Sequence, residues 1–149
     1  MSTSNLARLS AVEQARLVRT REVSPSELLD VHLEVITRVN PKLNAIVTLV
    51  ADQARETALK IEQRLAKGEK VGPLAGLPIV IKDVTLTKGI KTTYGSPNYK
   101  DFVPDQDAEV VARLRRYQCK DVQIQELRRG LRQLRRGTQL IQHPRERRF

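Results

Sequence analysis

A chain of 149 residues, 40% hydrophobic and 30% charged, has enough material for one domain with a core or for one piece of a larger domain. Only 3% of it is aromatic, there is no Trp, and the single cysteine, Cys119, excludes an internal disulfide and fits a reducing, cytoplasmic setting. The N-terminus lacks an apolar run of signal-peptide length, no stretch approaches a membrane span, and the net charge of +10 is the most conspicuous global feature.

Ser10-Ala11-Val12-Glu13 has the S-x-x-E form of a capping box and predicts a short helix through about Thr20. Ser24-Pro25-Ser26-Glu27 repeats the device with Pro at the first helical position, where its missing N–H costs nothing. That second helix is expected to carry Leu28, Leu29, Leu33, Ile36 and Val39 as an apolar stripe and to stop at Asn40-Pro41. Asn44 to Val50 reads as a strand or extended link. A third helix, from about Asp52 to Lys67, places Ala54, Ala58, Ile61 and Leu65 on one face, and Gly68 ends it. The Gly- and Pro-rich segment from Gly68 to Pro78 is a loop. Pro78 to Ile81 reads as a strand buried on both faces. Thr85 to Thr93 is expected to hold a β-turn with short extended arms, and a fourth helix starts at Asp105 or Gln106 with Val110, Val111 and Leu114 on its apolar side. Helices first, then strand, loop and helix, is the opening of an α/β or α+β domain with too few strands to close a sheet.

Lys82 follows the apolar strand directly, at the C-terminal end where open α/β sheets place their site residues. Apolar neighbours (Ile79, Val80, Ile81 and Val84) that excluded water would disfavour its ammonium form, which is what a lysine acting as a base at neutral pH requires. The plainer reading is a strand-end lysine reaching water, paired with Asp83. Asp83 either orients Lys82 or caps the following turn. His32 and His143 have no cluster of potential metal ligands near them in the sequence, and Gly72, Gly76 and Gly95 do not form a phosphate-cradling string.

Three blocks change the weight on Lys82. VSPSELLDVHLEVITRVNPKLNAIVTLVADQA, then GPLAGLPIVIKDV, then GIKTTYGSPNYKDFVPDQDAEVVARLRR resemble, in order, the N-terminal part of the amidase-signature family, over about residues 6–116. The resemblance implies an α/β fold: the N-terminal portion of an amidase-type mixed-sheet domain, helix-rich and with its sheet incomplete. It implies hydrolysis of amide C–N bonds in a small-molecule substrate by the complete domain, through an acyl-enzyme and without a metal or organic cofactor. Lys82 aligns with the base of the family's Ser–Ser–Lys triad, which takes a proton from a bridging serine that in turn activates the nucleophilic serine. The loop Thr92-Thr93-Tyr94-Gly95-Ser96 resembles a family loop near the lysine. Both triad serines belong to a Gly/Ser-rich segment well downstream, and this chain has no serine after Arg116. Ser96 does not match either triad position. The chain by itself is therefore expected to lack amidase activity. The amidase subunit of a tRNA-dependent amidotransferase, with protein and tRNA partners, is the alternative within the family.

The charge divides at Tyr117. Residues 1–117 hold 18 Lys+Arg against 14 Asp+Glu, or +4, while residues 118–149 hold 9 against 3, or +6. The expected organisation is an amidase-type segment, 1–117, and a basic tail, 118–149, helical or disordered and unlike the family pattern. One reading makes Glu126 to Arg136 a basic amphipathic helix, with Leu127, Leu131 and Leu134 amid arginines, suited to nucleic-acid phosphates or an acidic surface. No aromatic lies between Gln118 and Pro144 to stack on bases. The other reading is a shifted reading frame, which would begin arginine-rich text at one sharp point. The rival from a different class is a non-catalytic interaction protein that uses this tail.

Overall fold

The computed structural model describes residues 3–117 and 123–126. Its elements run α1 (Thr3–Leu6), α2 (Ala11–Arg19), α3 (Pro25–Leu43), β1 (Ile46–Leu49), α4 (Ala51–Ala66), β2 (Ile79–Lys82), a 3-10 turn (Pro97–Tyr99), α5 (Glu109–Arg116) and β3 (Gln123–Glu126).

Local chemistry sets the first helix starts. Ser10 Oγ accepts from Glu13 N at 3.2 Å. At α3 the box is reciprocal: Ser24 Oγ accepts from Glu27 N at 3.1 Å, and Glu27 Oε2 accepts from Ser24 N at 2.8 Å. A cap of this kind contributes about 1 kcal/mol. None of these three bonds reaches beyond four residues, which is why both starts are readable in the sequence.

The end of α3 differs from the expected stop at Asn40-Pro41. Pro41 lies inside the helix, which continues to Leu43. Proline forgoes one backbone hydrogen bond, to the Thr37 carbonyl, but so near the helix end no further turn depends on it. The exit is held instead by Asn40: its Oδ1 accepts from Ala45 N and Ile46 N at 3.0 and 2.9 Å, and its Nδ2 donates to Ile46 O at 2.9 Å. Asn44 takes the left-handed conformation, φ 48°, that turns the chain into β1.

Two faces of α3 organise the core. On one, Leu28 and Val31 join Leu6, Ala15, Leu17, Val18 and Leu77. On the other, Leu29 and Leu33 meet Ala54 and Ala58 of α4, whose small side chains let the two helices approach closely. The 68–78 loop is drawn into this packing. Gly76, φ 80°, lies so close to Pro25 and Val18 that an added Cβ would fall 3.1 Å from Pro25 Cγ, and this approach aims the chain into β2.

His32 is half-buried on α3, one turn from both Leu28 and Ile36, and its Nε2 is buried with no hydrogen-bond partner. Burial lowers its pKa below the ordinary 6.5. The unfolded chain then takes up a proton that the folded chain resists, so stability is full above about pH 6.5 and declines as pH falls below it. In urea titrations between pH 7.5 and 5, we expect His32→Leu to lose less stability than the wild type over that interval. An unchanged pH slope would show that His32 titrates alike in both states.

The three strands lie in the order β1-β3-β2, with β3 antiparallel to β1 and parallel to β2. Leu49 pairs with position 124, which also pairs with Val80; Ile46 pairs with position 126, which also pairs with Lys82. An irregularity in register between Ile46 and Thr48 brings both Ile46 and Leu49 to the Val80–Lys82 side. Two expectations fail here. The strand at Pro78 to Ile81, expected to be covered on both faces, alternates instead: Ile81 is buried and Val80 is 48% exposed. Glu126, which one of the two readings of the tail puts at the start of a basic helix, closes β3, because its backbone pairs with strands on both sides. The remainder of that helix, 127–136, lies outside the described residues.

The fourth helix begins at Glu109, three or four residues later than expected. Residues 105–108 are engaged elsewhere: Asp107 Oδ1 accepts from Lys88 N at 2.7 Å and Ala108 N donates to Leu86 O at 2.8 Å. Asp107 Oδ2 also accepts from Arg115 Nη1 at 2.5 Å, tying the last turn of α5 to the same loop. Of the expected apolar side, Val111 is buried and Leu114 is half-buried, while Val110 faces solvent.

Candidate active site

Lys82 is the last residue of β2, with its side chain exposed on the open side of the sheet. Val80 and Val84 beside it are exposed as well, so the described neighbours do not dry the amine as their apolar character suggests. The chain turns sharply at once: Lys82 O accepts from Val84 N at 2.8 Å and from Thr85 N at 2.9 Å.

Asp83 points the opposite way and is 2% exposed. Its Oδ1 accepts from Thr93 N at 2.8 Å, its Oδ2 accepts from the Thr93 hydroxyl, and its backbone carbonyl accepts from Tyr94 N at 3.0 Å. Of the two roles open in the sequence, Asp83 thus secures the following loop. By doing so it fixes the peptide from which Lys82 projects. We expect Asp83→Ala, which removes both charge-assisted bonds and strands the Thr93 N–H, to cost about 3 kcal/mol in urea unfolding, and Asp83→Asn, which keeps one acceptor, to cost less than half as much. Equal losses for both would mean that the charge, rather than the acceptor geometry, holds the loop.

The 85–96 loop contains no strand among the described residues; the short extended arms expected there are replaced by turns. Gly89, φ 76°, donates its N–H to Pro104 O at 3.0 Å, and Thr92 N donates to Phe102 O at 3.0 Å, so the loop lies against residues 102–104. Ser96 Oγ accepts from Asn98 N at 3.3 Å and caps the 3-10 turn. That local bond gives Ser96 a structural use. Tyr94, held at φ 52°, stacks with Phe102 at 6.2 Å, and Tyr99 meets both edge-on at 5.1 and 6.0 Å. Reasoning from sequence misses this cluster, although its signal is present: three of the chain's five aromatic residues fall between positions 94 and 102.

His32 lies in the helical layer on α3, and among the described residues no group of three His, Cys, Asp or Glu side chains converges on a metal site. No helix among them is long and apolar enough to cross a membrane. The described residues therefore comprise a packed helical layer and a partial mixed sheet, with a lysine at a strand's end and a buried carboxylate bracing the loop that follows.

The family model described as Amidase matches residues 27–118, and the chain belongs to the amidase-signature family. Its relatives include a glutamyl-tRNA(Gln) amidotransferase subunit of Acidothermus cellulolyticus, 43% identical over 112 residues, which make up 75% of this chain and 22% of that protein. An acylamidase of Rhodococcus erythropolis is 38% identical over 115 residues, 77% of this chain and 24% of that protein. Among solved structures, a bacterial aryl acylamidase of the amidase-signature family superimposes with a TM-score of 0.74 at 30% identity, over 83% of this chain and 26% of that one. A fatty acid amide hydrolase shares the fold, with a TM-score of 0.71 at 22% identity over 85% of this chain and 22% of that one. The fold class is thus α/β of the amidase type, and the chain spans about a quarter of the length of the relatives it matches.

Proposed function

We propose that residues 1–117 are the leading part of an amide hydrolase in which Lys82 is the terminal base of a Ser–Ser–Lys relay. The observation that carries this reading is the position of Lys82: it ends a strand, projects on the open side of the sheet, and stands on a backbone that Asp83 clamps to Thr93. A rigid mount matters because a base must meet its hydroxyl within hydrogen-bond reach. The family resemblance puts both serines of the relay well downstream of the lysine, and this chain has no serine after Arg116. Residues 1–149 alone are accordingly expected to turn over no amide. The lone Cys119 supports a reducing compartment such as the cytoplasm.

The test is a covalent hybrid. Residues 1–117 replace the corresponding leading segment of the Rhodococcus acylamidase, and hydrolysis of an aryl acylamide is followed. Turnover by the hybrid supports the reading; a folded hybrid without turnover overturns it.

A second reading has its own support, since the amidotransferase subunits reach 43–46% identity against 38% for the acylamidase. On that reading the complete protein would act with further protein subunits on a tRNA-linked substrate. Amide hydrolysis that appears only when those subunits are supplied would favour it.

A further inference from the structure

Thr93-Tyr94-Gly95-Ser96 closes a tight turn. Ser96 N donates to Thr93 O at 2.9 Å, and both central residues are left-handed, Tyr94 at φ 52° and Gly95 at φ 68°. A turn of this form favours Asn, Asp or Gly at its first central position, because a larger side chain there crowds the backbone. Tyrosine is an uncommon occupant, and residues held in such a conformation gather at functional sites. The ring does not enter the core. Tyr94, Tyr99 and Phe102 stay 39%, 47% and 39% exposed while they contact one another. They are three of the four aromatic residues between positions 3 and 117. The turn is moored beside Lys82: Thr93 N and its hydroxyl donate to the Asp83 carboxylate, and Tyr94 N donates to Asp83 O at 3.0 Å.

We propose that Tyr94, backed by Tyr99 and Phe102, is a specificity-determining residue: its ring is the surface against which an aromatic group beside the scissile amide lies. The inference rests on the reading of Lys82 given above, which puts the scissile bond near the end of β2. Tyr94 is bonded to the residue directly after Lys82, so ring and base share one mount. A fixed spacing between the two is what orienting a substrate requires. Stacked and edge-on contacts favour a planar ring over a flexible alkyl chain by several-fold. Tyrosine also suits a wall that is wet until substrate arrives, since its body is apolar and its tip polar. An aromatic acyl group and an aromatic amine offer the same chemistry to such a wall, and the test separates them.

The covalent acylamidase hybrid is assayed with benzamide (aromatic on the acyl side), acetanilide (aromatic on the amine side) and hexanamide (neither). Tyr94→Asn suits the turn and removes the ring. We expect it to raise KM about fivefold or more for at least one aryl amide, with kcat for that substrate and both constants for hexanamide within about twofold. The aryl amide that shifts names the side recognised. Tyr94→Phe should keep the wild-type ratios, because the ring face makes the contact. Tyr99→Leu leaves the turn untouched and should move the same ratio in the same direction, which keeps the test valid if the Asn variant misfolds. A KM rise shared by hexanamide would overturn the proposal. So would a fall in kcat at constant KM, which would make Tyr94 a support for Lys82, or unaltered kinetics with a lower melting temperature, which would make the cluster packing alone. Saturation-transfer NMR reads the contact without turnover: the Lys82→Ala hybrid should bind the preferred aryl amide, about fivefold more weakly once Tyr94→Asn is added. Ring-dependent binding in a hybrid that turns over no amide would remove the catalytic reading and leave the aromatic subsite. Lys82-dependent turnover with no aryl preference at Tyr94 would do the reverse.

Discussion

Replacing Lys82 with Ala in the acylamidase hybrid should lower kcat/KM for an aryl acylamide by about 10²–10⁴-fold, the range over which a positioned proton acceptor contributes. The reasoning starts from the hydroxyl. A serine at neutral pH is almost wholly protonated and attacks slowly unless a base takes its proton as the new bond forms. Lys82 is fixed at its backbone by the Asp83–Thr93 bonds while its side chain is exposed, as a residue must be if its partner comes from elsewhere in the domain. Lys82→Arg is the sharper variant. It preserves charge and length but is effectively always protonated, so it should fail nearly as badly as Ala. The hybrid should keep its melting temperature in both variants, because the side chain is not buried in the described core. Activity that survives Lys82→Arg within about threefold would mean that the residue serves as a positive charge and not as a proton acceptor.

The second large effect concerns stability. Leu28→Ala should destabilise the chain by about 2–5 kcal/mol in urea titration followed by circular dichroism. Leu28 is 0% exposed and stands where α3 meets the cluster formed by Leu6, Leu17, Val18 and Leu77. Truncation there removes dispersion contacts on several sides, and the surrounding helices cannot all close on the void. The comparison is Val12→Ala, at a position 77% exposed, which should change stability by no more than about 0.5 kcal/mol. If the two substitutions were equivalent, the helical layer would not be a fixed core.

What can be read from the sequence alone follows the reach of the interactions involved. Ser10 and Ser24 announce their helices because each cap closes within four residues. Lys82 stands out through the string around it, a local signal as well. Pro41 misleads because propensity speaks only of the proline, whereas Asn40 secures the helix exit by bonding to residues five and six further on. The start of α5 is misplaced because Asp107 is bound to Lys88 N, nineteen residues earlier. Asp83 keeps two roles open until Thr93, ten residues away, chooses one. The both-face burial expected of the 78–81 strand rests on its composition alone. An apolar run states that a strand suits being covered, and the described residues leave Val80 without that cover. Glu126 falls to a helix on the spacing of leucines after it, and position 126 pairs instead with β1 and β2, which no local pattern encodes.

The strand order β1-β3-β2 has a consequence for the way the polypeptide emerges from the ribosome. The first two strands to be made are not neighbours; each borders only the third, which is translated last of the described residues. The helical pair α3 and α4 can associate while synthesis continues, since domains mature from the N-terminal side during elongation. Until residues 123–126 clear the exit tunnel, however, neither β1 nor β2 has the strand it pairs with. The nascent chain thus carries two unmatched ribbons between the synthesis of β2 and that of β3, and a chaperone that shields extended segments would have its opportunity in that interval.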